Sequence, residues 1–258
     1  MKVFKYIGLT AILLFSFYYT EKMSNIVINN SSLMEEINNK SKDYNIEPVS
    51  ATIDDNNIIP GLNGYSVNVL KSYNNMKVLD AFNSYYLEYD VITPKISLTD
   101  NKDKIIKYGN YNKKAVSIIL QNNEELINYS VNKNIKITRL ISNNTFNKYV
   151  NYEQINFDYE LYEKVEKLLD VNNVNKDICY INNNIIDICK DKEKFLVDSS
   201  ITLNSYNIST IKNKIKSGFI IFINDDVEVS DYKILINQIY YKDLDIIPLS
   251  DLIKEERD

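Results

Sequence analysis

Histidine and tryptophan are absent from the 258 residues of this chain, and glycine and proline are scarce, with five and four copies. Without histidine the chain lacks the commonest general base and the commonest metal ligand, so Ser–His and Cys–His nucleophile pairs are excluded. Neither a Gly-x-Ser-x-Gly motif nor a phosphate-binding glycine loop is present. Any chemistry must therefore come from the side chains that remain.

The composition is that of a folded globular protein with a mild negative charge. Hydrophobic residues make up 45% of the chain, so a sizeable core can form, and the length fits one large domain or one domain plus a smaller module. The formal net charge is −5 and no basic stripe is present, which argues against nucleic acid as a partner. We attribute the excess of Asn, Ile, Lys and Tyr to an AT-rich genome.

The N-terminal residues resemble an export signal. Lys2 and Lys5 precede the uncharged stretch Tyr6–Tyr19, which is rich in Ile, Leu and Phe, and no clear small-x-small cleavage site follows. A short basic region followed by an apolar run is typical of a signal peptide or signal anchor. We therefore predict a transmembrane signal anchor at residues 1–23, with the bulk of a single-pass cell-membrane protein outside the cytoplasm. The alternative is a buried N-terminal helix or strand.

Two parts of the chain follow this stretch. Residues 24–46 are polar and are interpreted as a spacer. Residues 47–110 contain the turn dipeptides Pro60-Gly61 and Asn63-Gly64, and we predict that they form a small N-terminal module.

From residue 111 to residue 258, short apolar strands alternate with amphipathic helices. Val116–Leu120 is a continuous apolar run, as expected of a strand buried on both faces. Asp158–Leu169 places its leucines on one face of a helix. Repeated alternation of this kind predicts an α/β fold with a largely parallel sheet or a barrel.

The two cysteines are separated by a turn-prone segment. Cys179 and Cys189 flank Asn182-Asn183-Asn184, and a short hairpin here would bring the two thiols together. In an exported domain they can form a disulfide, whereas the alternative is two independent buried thiols. Two thiols without imidazole do not favour a zinc site.

Three segments of the C-terminal part match the strands of a known enzyme family. Lys113–Asn123 has the sequence KKAVSIILQNN, Asn134–Asn147 has NIKITRLISNNTFN, and Ser217–Leu252 runs from SGFIIFINDD to LDIIPLSDLI. They resemble the first strand, the next strand and the closing segment of the polysaccharide deacetylase (NodB-homology) family. The resemblance covers about Lys113–Lys254. It implies an incomplete or distorted (β/α) barrel, because the chain is shorter than a full deacetylase domain.

The functional positions of that family are changed in this chain. Gln121 and Asn122 stand where the first strand of the family ends in paired aspartates, of which one is the expected base and the other a metal ligand. Asn224 stands where the closing strand ends in the catalytic histidine, and the H-x-x-x-H ligand pair has no counterpart. Amides do not titrate near neutral pH. The resemblance therefore implies a protein that has lost the catalytic residues and the metal, and no cofactor is expected.

An acidic cluster and a group of tyrosines are further candidates. Asp225-Asp226-Val227-Glu228 follows a predicted strand, where a calcium site is one interpretation and a solvated loop with a capping aspartate is the preferred one. Composition and core packing account for most of the 21 tyrosines. The group to inspect for sugar stacking comprises Tyr85, Tyr86, Tyr89, Tyr108 and Tyr111.

Three functions remain open. The preferred one is a catalytically inactive, membrane-anchored extracytoplasmic protein that binds or scaffolds at the cell envelope, with cell-wall glycan or an envelope protein as its partner. The second is an active hydrolase of cell-wall polysaccharide that uses carboxylates without a His-bound metal. The third places the function in residues 47–110 and leaves the C-terminal part as support.

Overall fold

The computed structural model describes residues 2–141, 151–156, 174–181 and 186–257. The predicted helix over Asp158–Leu169 lies outside these residues. The described α-helices are α1 (Lys2–Asn29), α2 (Ser32–Ser41), α3 (Val69–Met76), α4 (Glu124–Asn132), α5 (Ile186–Asp191), α6 (Ile208–Ile211), α7 (Val229–Tyr241) and α8 (Leu249–Ile253). The described strands are β1 (Thr52–Asp54), β2 (Asn57–Ile59), β3 (Gly64–Val67), β4 (Tyr89–Ile92), β5 (Ile105–Ile106), β6 (Ala115–Leu120), β7 (Thr138–Ile141), β8 (Glu153–Asn156), β9 (Val174–Asn175), β10 (Ile178–Tyr180), β11 (Phe195–Val197), β12 (Ile201–Leu203), β13 (Ile220–Ile223) and β14 (Asp245–Ile246).

The chain divides into two compact units, of which the first comprises residues 1–47 and 64–92. α2 begins after Ser31, whose hydroxyl accepts a hydrogen bond from a backbone N–H of the first turn, and Asn68 caps α3 in the same way. β3 and β4 pair in antiparallel fashion. A core cluster of this unit is formed by residues from α2, from β3, from α3 and from the chain before β4, namely Leu33, Ile37, Val67, Met76 and Leu87.

α1 includes residues 2–23 of the predicted signal anchor, which was assigned to residues 1–23. The helix continues to Asn29 through Glu21 and Lys22, so the apolar stretch Tyr6–Tyr19 occupies only part of it. At 1.5 Å per residue that stretch covers about 21 Å, which is less than the roughly 30 Å hydrocarbon core of a bilayer. None of the helices in the described ranges is long and apolar enough to cross a membrane, and the predicted membrane helix is not supported.

The second unit comprises residues 48–63 and 93–258, so its boundaries differ from those predicted for a spacer at residues 24–46 and a module at residues 47–110. The predicted spacer contains α2, whose apolar side chains belong to the core of the first unit. β2 lies within the predicted module, but it pairs with β5, which in turn pairs with β11. Pairing with a strand far along the chain therefore joins part of the predicted module to the C-terminal part.

Two sheets of mostly parallel strands form the second unit. One has the order β12-β13-β6-β7-β8-β9, with β14 also paired to β6, and its pairings are parallel. The other has the order β1-β2-β5-β11-β10 and is parallel except between β1 and β2. The predicted α/β fold with parallel sheets is confirmed. Within the described residues the strands form two sheets and not one closed barrel.

Apolar layers cover both faces of the larger sheet. Ile118 and Leu120 of β6 belong to the layer that includes Leu126 of α4 and Leu235 of α7. Ile119, between them in sequence, belongs to the other layer, which β5 and β11 of the second sheet share. Successive side chains of a strand point to opposite faces, so burial of both faces explains the continuous apolar run of β6.

Cys179 and Cys189 are joined by a disulfide. The sequence left open whether these cysteines form a disulfide or remain two independent thiols, and the structure contains the disulfide. Cys179 lies in β10 and Cys189 in α5, so the bridge joins a strand to a helix, and the predicted hairpin is wrong. The second half of this segment forms the helix α5, where the sequence suggested a second strand.

Candidate functional site

The carboxyl ends of β6 and β13 lie side by side in the larger sheet. The two strands are parallel neighbours, and Phe222 of β13 is in register with Ile119 of β6. Because both strands run in the same direction, the residues that follow them emerge at one edge. Gln121 and Asn224 therefore line the same pocket of about 290 Å³, together with Phe222, Asp225 and Asp226. We call this the amide pocket.

Asn122 lies beside the amide pocket and is bound to one of its walls. Its backbone N–H donates a hydrogen bond to Asp225 Oδ1 at 3.1 Å, and its side-chain Nδ2 donates to Oδ2 at 3.3 Å. Asn123 also donates from its side chain to the backbone oxygens of Asp225 and Val227, at 3.0 and 3.1 Å. The structure thus brings the three predicted residues to one edge of the sheet, but only Gln121 and Asn224 line the pocket.

Asp226 is tied to the loop after β12. Its carboxylate accepts hydrogen bonds from the Ser205 hydroxyl at 2.7 Å and from the Ser205 backbone N–H at 3.2 Å. The hydrogen bond from the Ser205 hydroxyl is the main cause that holds the pKa of Asp226 below its ordinary value. Asp226 is therefore ionised at neutral pH and is a poor proton donor.

The two aspartates do not cap the helix that follows them, contrary to the preferred interpretation of the sequence. Glu228 occupies the N-cap position of α7 and makes no capping hydrogen bond with its side chain. Asp225 and Asp226 instead connect the strand exits to neighbouring loops. No group of three or more acidic or cysteine side chains that could hold a metal ion occurs within the described part of the chain.

A buried arginine supports the amide pocket from the neighbouring strand. Arg139 of β7 is 3% exposed, and its Nε donates to the backbone oxygen of Gln121 at 3.3 Å. Its guanidinium also donates to the Tyr152 hydroxyl at 3.3 Å and pairs with the half-exposed carboxylate of Glu124. Arg139 thus fixes the backbone that carries Gln121. Arg139 was not among the predicted site residues, although a lone charge inside an apolar strand is a usable signal.

Phe222, which lines the amide pocket, packs on a buried tyrosine. The rings of Phe222 and Tyr180 are stacked, with centroids 5.9 Å apart and an interplanar angle of 26°. Burial raises the pKa of Tyr180 to about 12, so its hydroxyl stays neutral. The Phe222 ring therefore lies beside amides and carboxylates, and such a combination of an apolar surface with a few polar groups is common in small-ligand pockets.

The metal of the deacetylase family does not fit this pocket. The resemblance implied a site with an aspartate and two histidines, and the chain has no histidine. Gln121 and Asn122 stand at the strand end where the aspartates were expected, and neutral amides cannot stabilise a divalent cation as a carboxylate–imidazole set does. The pocket can donate and accept hydrogen bonds through its amides and accept them through its two carboxylates.

The predicted tyrosine group is divided between the two units. Tyr85, Tyr86 and Tyr89 lie in the first unit, with Tyr85 almost fully exposed. Tyr108 and Tyr111 lie in the second unit and face each other with ring centroids 6.3 Å apart. The five tyrosines do not form one surface within either unit.

Known structures with the same fold include a protein that is described as a pseudoenzyme. The wild-type CE4 family pseudoenzyme BA3943 from Bacillus anthracis is 20% identical, matches 88% of this chain and 96% of its own, and has a TM-score of 0.58. A mutant of that protein with restored enzymatic activity also gives 20% identity and a TM-score of 0.58, over 88% of this chain and 99% of its own. The fold of this chain is therefore that of the CE4 deacetylases, and the predicted resemblance is confirmed for the fold.

Comparison by sequence gives one relative over a shorter stretch. The uncharacterized protein YlxY of Bacillus subtilis (strain 168) is 31% identical over 96 residues, which are 37% of this chain. The match spans less than a third of that protein, 30% of its length. No family model matches the chain.

Proposed function

We propose that this protein is a degenerate polysaccharide deacetylase that binds glycan in the amide pocket without catalysing deacetylation. The observation that carries the proposal is the convergence of Gln121 and Asn224 on one pocket at adjoining strand ends. In the deacetylase family the corresponding strand ends supply a base, a metal ligand and a catalytic histidine. Here the corresponding strand ends carry the amides of Gln121 and Asn224, which cannot transfer a proton near neutral pH.

The likeness to a pseudoenzyme of the same fold supports this proposal. The Bacillus anthracis protein has an active mutant, so in that protein inactivity depends on particular side chains and not on the fold. The present chain lacks the catalytic histidine and the histidine metal ligands of the deacetylase family, because it has no histidine. Its amides can still bind sugar hydroxyls, and Phe222, held by its stacking on Tyr180, can pack against the apolar face of a sugar ring.

The proposed location is outside the cytoplasm, at the cell envelope. The disulfide between Cys179 and Cys189 supports it, because structural disulfides persist in oxidising compartments and are rare in the cytosol. A cell-wall glycan is the preferred partner, and an envelope protein is the alternative.

An active hydrolase based on carboxylates is the second candidate. It rests on the two adjacent aspartates that line the amide pocket. Glycoside hydrolysis by a pair of carboxyl groups requires one that is protonated and can act as general acid. The Ser205 hydroxyl holds the pKa of Asp226 low, which opposes that role. We therefore prefer binding without turnover.

Sedimentation with insoluble glycan, combined with an activity assay, tests the proposal. The full chain should co-sediment with purified peptidoglycan or chitin, and it should release neither acetate nor reducing ends, with or without added divalent metal. The double variant Gln121→Ala/Asn224→Ala should bind at least tenfold more weakly, because each lost hydrogen bond contributes about 1 kcal/mol. The matched control is Asn237→Ala, which removes an exposed amide on α7.

Each other outcome would change the conclusion. If the wild-type protein is not enriched over an unrelated control protein, glycan binding is refuted. Equal binding by the double variant and the control variant would remove the amide pocket from the proposal. Release of acetate or of reducing ends that stops in an Asp225→Asn variant would establish the hydrolase instead.

A further inference from the structure

A second pocket lies at the other end of β13. Tyr108, Tyr111, Lys214, Lys216 and Phe219 line this pocket of about 570 Å³, which we call the aromatic–lysine pocket. Phe219 immediately precedes β13, whereas Asn224 of the amide pocket immediately follows it. At about 3.3 Å per residue the two pockets are separated by roughly 16 Å along the strand. The volume lies within the range of pockets that bind small ligands.

Close packing of two glycines fixes the frame of the aromatic–lysine pocket. The backbone N–H of Gly109 donates to the oxygen of Gly218 at 2.7 Å, and the Ser217 hydroxyl donates to the oxygen of Tyr111 at 2.7 Å. Gly218 has a φ of +84°, and a Cβ there would lie 2.5 Å from the oxygen of Gly109. The segments that carry Tyr108, Tyr111 and Phe219 can therefore approach each other only because these positions lack side chains.

The three rings of this pocket form a continuous aromatic wall. The centroids of Tyr108 and Phe219 are 5.4 Å apart in an edge-on arrangement, and those of Tyr108 and Tyr111 are 6.3 Å apart. Tyr111 remains 49% exposed, so a face of the wall is open to a ligand. The C–H face of a sugar ring packs well on such a surface. This face of the sugar is apolar, and the face of the aromatic ring carries negative charge density that attracts its C–H groups.

Positive charge lies beside this wall without an acidic neighbour among the lining residues. In the described parts of the chain neither the Lys214 nor the Lys216 ammonium has an ion-pair or hydrogen-bond partner. The two segments that build the pocket, 104–123 and 199–224, contain no Asp or Glu, although the chain as a whole has a net charge of −5. A lysine ammonium binds carboxylate and phosphate as a point charge.

We propose that the aromatic–lysine pocket is a second binding site, for an acidic saccharide whose ring packs on Tyr111 and whose anionic group contacts Lys214 and Lys216. The choice of a saccharide rests on the proposed glycan function, whereas the requirement for an anion rests on the pocket alone. A nucleic acid would use the same aromatic and cationic groups. It is disfavoured because two lysines offer little phosphate neutralisation on a protein of net negative charge.

Calorimetric titration of the full chain with defined oligosaccharides tests this site. Tetragalacturonate should bind, neutral chitotetraose should not bind to the Gln121→Ala/Asn224→Ala variant, in which the amide pocket is disabled, and the affinity for tetragalacturonate should fall at least threefold between 50 and 300 mM NaCl. The variant Lys214→Gln/Lys216→Gln should bind at least tenfold more weakly. The control Lys136→Gln/Lys212→Gln removes the same charge outside the pocket lining and should bind within twofold of the wild type.

A ring variant and the amide-pocket variant complete the experiment. Tyr111→Ala should weaken tetragalacturonate binding about tenfold while leaving its salt dependence unchanged. Gln121→Ala/Asn224→Ala should keep the affinity for tetragalacturonate within twofold of the wild type. A result against glycan binding in the amide pocket can therefore be distinguished from a result against this second site. Three results would overturn the assignment. The first is equal binding of chitotetraose and tetragalacturonate to the amide-pocket variant. The second is unchanged binding by the lysine double variant, and the third is tighter binding of polyadenylate than of tetragalacturonate.

Discussion

Reduction of the Cys179–Cys189 disulfide should destabilise the second unit by about 3 kcal/mol. The two cysteines are ten residues apart in sequence, and both side chains are 2% exposed. For a loop of this length, the chain-entropy model gives a stabilisation of roughly 2.7 kcal/mol at 25 °C, because the bond restricts the unfolded chain. That is a large share of the total stability of roughly 5–15 kcal/mol for a typical domain.

The effect should be visible as a change in melting temperature. For a unit of this size each kcal/mol shifts the midpoint by roughly 2–4 °C, so reduction should lower it by about 5–11 °C. We expect this shift in thermal unfolding followed by circular dichroism, with and without a phosphine reductant. The variant Cys179→Ala/Cys189→Ala serves as the control, because it should be less stable than the oxidised protein and should not respond to the reductant.

Two results would refute this reasoning. The first is an unchanged melting temperature of the wild-type protein after complete reduction, which would show that the bond does not restrict the unfolded chain. The second is titration of two free thiols in the unfolded but unreduced protein, which would show that the bond does not form. The second result would also remove the support for an extracytoplasmic location.

Three further predictions concern single residues of the second unit. Gly218→Ala should lower the free energy of unfolding in urea by roughly 1–3 kcal/mol, because it combines a positive φ with a close approach to Gly109; an unchanged urea midpoint would contradict the close approach. Arg139→Met should cost roughly 1–3 kcal/mol in the same assay, and Arg139→Lys should not restore it, because a single ammonium cannot replace the guanidinium fork. Burial raises the pKa of Glu255 above its ordinary value of 4.5, so the native state binds more protons there and stability should fall as the pH rises from 4.5; Glu255→Gln should flatten this dependence, and an unchanged slope would contradict it.

Sequence patterns predicted the elements that are local and strongly periodic. The apolar run after Lys114 is a strand buried on both faces, and the polar residues that follow β6 and β13 lie at one edge of the sheet. Parallel strand–helix units leave few arrangements for such strands, so a resemblance in three segments was enough to identify the fold. The changed residues Gln121, Asn122 and Asn224 could be located for the same reason.

Contacts between distant segments could not be predicted in this way. The hydrogen bonds of Asp225 with Asn122 and of Asp226 with Ser205 join loops that lie 103 and 21 residues apart in sequence. The boundaries of the two units depend on such a contact as well, because β5, which pairs with β2, also pairs with β11 far along the chain. No local propensity encodes which distant strand edge a short strand will find.

The sequence by itself determined that this protein has no imidazole, and therefore that no pocket in it can reproduce the metal and acid–base groups of a deacetylase. It also determined which strand ends carry amides in their place. Only the tertiary structure decided that Gln121 and Asn224 share one pocket, that Arg139 supports it, and that two lysines adjoin an aromatic wall at the far end of β13. The physical reason is that the type of a residue determines whether its side chain can gain or lose a proton. Which side chains lie close together is determined by strand pairing and packing across the whole chain.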